Sequence, residues 1–446
     1  MNGVVKAAGV ALLVVLAHSA AAQSLTLHDA VEEALSHNPA IAGADARQQA
    51  AAARETEARA ARLPRVDVSE SATRSNNPVF VFGSLLEQGE FAPRNFDPAL
   101  LNAPDALTNY RTSITARFAV FDRFRAATGI GQSRNAVGRA AVELEDARQR
   151  VRAEVVARFY GVLVSEEKLT VAKEAVRAAE ADAKMTRDRF EQGLLVESDA
   201  LSAEVQLATF RQRVIAAEGD LAIARAALST LLQRPIRDAI TISGTIPASR
   251  FDAPDVDAAV ARAMARRAPV KMASIATSDA RLRLGAERGA VLPRVDAFGT
   301  FGASGSTFGR RNTDYTGGIA VTLELFDRAR PARIAAARAE IDVAHAGDAM
   351  ARDAVTMEVV TAWHRLRTGR ETAAVAATSV EQAQAAARIV RDRYEHGLTT
   401  ITEHLRAQTA LLSARFELLA ARYDSLVAHA ELLRATGDLD DVQPFL

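Results

Sequence analysis

The chain has 446 residues, 25% charged and 49% hydrophobic, enough apolar material for a sizeable core. Lysine plus arginine equals aspartate plus glutamate at 55 each, so no basic surplus points to nucleic acid. Aromatics are only 5%, low for an enzyme core of this size, and the lack of cysteine excludes disulfides, thiolate metal sites and a lipid on an N-terminal cysteine.

Residues 1–22 read as a secretory signal peptide. Lys6 supplies positive charge, Val10 to Ala17 is a short apolar run, and Ala20-Ala21-Ala22 gives a small-residue cleavage pattern. A spanning helix needs roughly 20 apolar residues. The run is too short for that, so the mature chain is expected to start near Gln23. Leu27 to Pro39 then reads Leu-x-x-Ala-Val-x-x-Ala-Leu-x-x-Asn-Pro. After Leu63-Pro64-Arg65-Val66-Asp67, the segment from Val66 is a weak strand candidate. Between Asn76 and Asn109, Pro78, Pro93, Pro98 and Pro104 predict a long loop.

A clear strand pattern follows. Tyr110, Thr112, Ile114, Ala116, Phe118 and Val120 alternate with Arg111, Ser113, Thr115 and Arg117. No proline lies between Pro104 and Pro235, which permits a very long helix. Within it, Val155, Val162, Leu169, Val176, Ala183 and Phe190 recur every heptad. A row of small residues, Ser165, Ala172, Ala179 and Thr186, runs beside them, as in a closely packed coiled-coil seam. A helix from about Phe124 to Glu191 would be roughly 100 Å long. Gly193 marks a reversal, and a return helix is expected to reach about Gln233.

The second half repeats the first. Leu292-Pro293-Arg294-Val295-Asp296 matches the earlier Leu-Pro-Arg-Val-Asp, Phe326-Asp327-Arg328 matches Phe121-Asp122-Arg123, and Arg391 to Leu398 matches Arg187 to Leu194. Tyr315 to Leu325 alternates as a strand, with Val295 starting its weaker partner. Val359, Leu366, Ala373, Val380, Ala387 and Tyr394 form a second seam, and Gly397 a second reversal before a helix to about Gly437. The expected division is a first repeat over 23–235, a linker over 236–253, a second repeat over 254–437 and a tail over 438–446. The strands are the length of membrane-barrel strands, yet four cannot close a barrel. An open sheet edge cannot sit in lipid, so spanning strands require several chains to share one barrel.

These motifs, in this order and twice over, resemble the TolC-type outer-membrane efflux protein family across essentially the whole mature chain. The resemblance implies a mainly α fold with membrane β: a long coiled-coil helical tunnel, and four strands contributed to a trimeric 12-stranded β-barrel. It places the chain in the outer membrane with its tunnel extending into the periplasm. The segment from Pro235 to Pro254 would lie in an equatorial band. The implied function is a passive export duct of a tripartite efflux or type I secretion system, with an iris-like periplasmic gate. The implied partners are two further copies, a periplasmic adaptor (membrane fusion) protein, an inner-membrane pump and outer-membrane lipid. By the same resemblance, Asp199 and Tyr394 match a gate pair, while Thr399 stands where the family carries a gate arginine. Glu403 keeps one acid of the narrowest point and Arg406 replaces a second. Gly193-Leu194 and Gly397-Leu398 are the adaptor-docking candidates.

The residues offer no catalytic, cofactor or metal motif. Gly129-Ile130-Gly131 lacks the third glycine of a dinucleotide loop, and Glu403-His404 is not extended into a zinc-protease motif. His396 and His404 are expected at the surface, Trp363 in packing, and Arg187 to Arg189 on a solvated helix face. Two other readings remain open on the residues alone: a periplasmic coiled-coil adaptor or structural protein, and an exported enzyme with a helical domain.

Overall fold

The computed structural model describes residues 24–237, 240–247, 254–309 and 311–445; the signal-peptide expectation lies outside them. The element order helix, helix, strand, strand, long helix, shorter helix occurs twice. First come α1 (Leu27–His37), α2 (Pro39–Ala60) and β1 (Arg65–Ser75), an insertion holding α3 (Pro78–Glu87) and α4 (Pro98–Asn102), then β2 (Leu107–Phe121), α5 (Arg125–Glu191) and α6 (Glu197–Leu231). The second pass is α7 (Val256–Arg266), α8 (Ala268–Gly289), β3 (Arg294–Gly305), β4 (Asn312–Thr322), α9 (Arg330–Glu395) and α10 (Ile401–Thr436).

Local chemistry sets the boundaries. Thr26 caps α1 reciprocally with Asp29, each bonding the other's backbone N–H. Asn38 caps α2, whose first residue is Pro39. The first Phe-Asp-Arg motif is the corner where strand becomes helix: Arg123 and Phe124 both take positive φ, and the Asp122 carboxylate accepts from the Ala126 N–H. In the second copy Asp327 accepts from the Ala329 N–H and from Arg333, whose hydrogen bond holds that carboxylate below its ordinary pKa.

The strands form one antiparallel sheet in the order β1-β2-β3-β4. Both weak candidates are full strands, of 11 and 12 residues. β4 stops at Thr322, short of the expected Leu325, and Leu323, Leu325 and Phe326 lie exposed beyond it. The expected long loop between β1 and β2 is instead a folded insertion with two short helices, because Asn77 and Asp97 cap starts whose next residue is proline.

The register sorts the sheet's two faces. Val66, Val68, Ile114, Phe301, Tyr315, Ile319 and Val321 share one face and are all exposed. Arg111, Ser113, Thr115, Thr300, Ser304 and Asp314 share the other. There Arg111 grips Asp314 through two bonds of 2.8 and 2.9 Å.

Below the sheet, α5 and α9 run 67 and 66 residues, about 100 Å each at ~1.5 Å per residue. α2 packs along the first part of α5 and α8 along that of α9; farther on, α6 and α10 return as antiparallel partners. The largest core lies midway. Leu27 and Val31 of α1, Val155 to Leu163 of α5, Leu228 of α6 and Leu426 of α10 converge there with Ile240 and Ile242. A parallel bridge joins Leu25 to Ile242. The matching core of the second pass joins Ala259, Val359, Leu366 and Leu432. Trp363 packs against it and donates to the Pro254 carbonyl at 2.7 Å. The heptad seams are buried along most of their length, but Phe190 at the end of the first is exposed.

Candidate gate at the hairpin tips

The two reversals share one geometry. Gly193 and Gly397 take φ +74° and +73°, a conformation other residues adopt only with strain. The Gly193 N–H donates to the Phe190 carbonyl and the Leu194 N–H to the Arg189 carbonyl, at 2.8 and 2.9 Å. Gly397 and Leu398 repeat this on Tyr394 and Arg393, at 3.0 and 2.8 Å. Each end is thereby a Schellman cap that satisfies its last carbonyls. It also pushes a leucine outward: Leu194 and Leu398 are 69% and 68% exposed. Arg187 of the expected solvated stretch pairs with Glu204 across the first hairpin.

The predicted gate residues fall into three groups. Glu403 and Arg406 lie exposed on the first turns of α10 and pair with each other at 3.1 Å. Thr399 is half-buried just before the N-cap Thr400. Asp199 is half-buried in the first turn of α6, while Tyr394 is buried at the end of α9. Within one chain Tyr394 meets Thr186, its hydroxyl 3.5 Å from Thr186 Oγ1, and not Asp199.

Tyr394 instead belongs to a buried polar cluster. Its ring stacks on His404 at 5.2 Å and 8°, and the Arg189 guanidinium lies 5.5 Å from its centre. His404 is only 1% exposed, which corrects its expected surface position; it faces α5 because His404 and Gln408 fall in the stripe of Ile401, Leu405 and Leu412. His404 Nε2 lies 3.1 Å from the Asp182 carboxylate, and the Gln408 amide also donates to that carboxylate. A buried carboxylate needs such donors. Nearby, Gln206 donates to Thr409 at 2.7 Å and Arg415 pairs with Glu174 at 3.1 Å. Together these contacts tie α10 and the end of α9 to the α5–α6 hairpin. Sequence reading missed Asp182, His404 and Gln408. The signal was present: an acid sits three residues after Ala179 in the small-residue row, and two polar residues sit inside the apolar stripe of α10.

A model of the outer membrane efflux protein family matches residues 30–233 and 256–438. Protein CyaE of Bordetella pertussis is 28% identical over 341 residues, covering 75% of this chain and 72% of that protein. The fold is similar to the CmeC outer membrane channel of Campylobacter jejuni, with a TM-score of 0.79 and 17% identity over 92% of this chain and 85% of that one. It is also similar to a membrane protein from Pseudomonas aeruginosa, with a TM-score of 0.78 and 19% identity over 92% and 90%. These likenesses set aside the enzyme and adaptor readings. On its exposed apolar sheet face, its paired long hairpins and this match over most of its length, the chain belongs to the outer membrane efflux protein family and is an outer-membrane channel subunit.

Proposed function

We propose that three copies of this chain share one barrel and form a passive export duct, with the helices extending into the periplasm. The observation that carries this is the four-stranded sheet whose edge strands β1 and β4, among the described residues, pair only on their inner sides. Three such sheets make a closed barrel of twelve strands, and closure satisfies the edge groups that lipid cannot. The exposed apolar face then meets lipid and the polar face lines the pore. Exposed apolar residues on the helices, including Leu201, Val205, Ile215 and Ile223 of α6 and Val343, Met350 and Met357 of α9, supply the contacts between copies.

On this reading the chain is a duplicated unit, 23–235 and 254–437, with a linker at 236–253 and a tail at 438–446. The repeated element order supports that division. The tips Gly193-Leu194 and Gly397-Leu398 present their leucines to a periplasmic adaptor, which couples the duct to an inner-membrane pump. Asp199 and Tyr394 constrain the closed periplasmic end, and the Asp182–His404–Gln408 cluster holds Tyr394 in place. Glu403 lines the narrowest point, where its pairing with Arg406 and the threonine at 399 leave a weak charge ring.

Negative-stain electron microscopy of detergent-extracted mature protein tests the assembly. A threefold hollow tube extending ~100 Å beyond a detergent belt is expected; monomeric rods without a belt would overturn it. For the gate, Tyr394→Phe combined with Asp199→Ala is expected to raise single-channel conductance. An unchanged conductance would remove both residues from the gate.

A further inference from the structure

We propose that the insertion between β1 and β2 is a lid on the outer mouth of the pore, closed by contact with the same segment of the other copies. This rests on the shared-barrel reading above. The insertion leaves the sheet at the end away from the long helices, as does the β3–β4 turn, yet the middle of the turn and the insertion lie on opposite sides.

The turn goes to the apolar side. Phe308 rests on Tyr110 with ring centres 4.5 Å apart, and Arg311 reaches Glu70 at 3.3 Å. The insertion goes to the polar side and crosses the sheet there. Glu87, at the end of α3, takes Arg111 at 3.4 Å, the Asn109 amide at 3.3 Å and the Ser304 hydroxyl at 3.4 Å, while its carbonyl accepts from Asn312 at 3.1 Å. Gln88 donates to Thr108 and Asn109, both at 3.0 Å, and Ser306 donates to Glu90 at 2.7 Å. A segment that begins after β1 is thus pinned to β2, β3 and the start of β4.

Those strand side chains line the aqueous pore if the opposite face meets lipid. The insertion is also a folded piece with its own small core. Phe82, Phe91 and Phe96 stack edge to face at 5.0 and 5.1 Å, and Val81 is buried beside them. Among the side chains it leaves outside are four large apolar ones: Val79 is 82% exposed, Phe96 65%, Leu86 50% and Leu100 45%. On the pore side no lipid is available to cover this surface. The threefold copies of the same segment are, because each is anchored inward from its own sheet. Apolar burial between them supplies the closing force, and export requires the segments to part.

The chain contains no cysteine, so single cysteines report on this contact without background. Val79→Cys, Phe96→Cys and Leu100→Cys variants are oxidised in outer membranes, and the trimer is checked separately by native mass spectrometry. Covalent dimers from at least one variant within an intact trimer are expected. An intact trimer with no dimer from any of them, and quenching of a fluorophore at the same sites by brominated lipid, would overturn the lid while leaving the shared barrel standing. A monomeric mass would overturn the shared barrel itself, and the lid with it. As a second measurement, in the Tyr394→Phe, Asp199→Ala background, whose periplasmic end no longer limits the current, replacing 78–104 by a short Gly-Ser turn is expected to raise conductance several-fold further in the trimer, and an unchanged conductance would count against the lid.

Discussion

Two histidines of α10, His404 buried and His429 half-buried, act in different ways. His404 bonds Asp182 of α5, so the contact joins hairpins from the two halves of the chain. Removing one partner of a buried polar pair strands the other. His404→Ala is therefore expected to loosen the tip and increase the frequency of channel opening in planar bilayers, with the trimer intact; unchanged opening would make the cluster a packing feature only. His429, near the midline core, packs edge to face on Phe445, and burial pushes its pKa down to about 4. Its folded-state pKa lies below the unfolded value of 6.5. The folded chain thus prefers the neutral ring: this contribution to stability is complete above pH 6.5 and is lost as pH falls from there through about 4. Thermal melts followed by circular dichroism are expected to show a smaller loss of stability between pH 7 and 5 for His429→Leu than for the unaltered protein.

At the scale of elements, the strands and seams were legible because their signals are local. Alternation along Tyr110 to Val120 and heptads from Val155 or Val359 need no knowledge of what packs against them. The glycine reversals were equally plain. His404 was not, since its burial depends on α10 docking against Asp182, 222 positions away in the chain. The helices of the insertion were also hidden, being too short for a period to show and masked by four prolines that serve as helix starts and turns. The α9–α10 pairing makes its own prediction. A Cβ on Gly369 would come within 3.2 Å of the Ser425 backbone, so a larger side chain there must push the two helices apart. Gly369→Leu is expected to cost about 1–3 kcal/mol through overpacking, read as a lower melting temperature.

At the scale of the whole molecule, assembly and transport are separable. The tip leucines stand far from the sheet and outside every core of the chain. Leu194→Asp with Leu398→Asp is expected to abolish export by cells while leaving the trimer and its purified-channel conductance intact. Export at the normal rate would remove the tips from the docking surface. How copies of the chain would fit together was legible only as a requirement of the proposed barrel. A four-stranded sheet demands neighbours, but one sequence does not display the surfaces they share.

The two unpaired edges of the sheet also have a consequence in a cell carrying two versions of the gene. On the three-copy reading proposed above, a copy with a damaged β1 or β4 that still assembles through its helices leaves its ring with a seam exposed to lipid. With three places per ring, the share of sound channels would then fall as the cube of the share of sound chains. Edge-strand mutations are therefore expected to be dominant over the sound gene, whereas loss of a whole copy would only lower the number of rings.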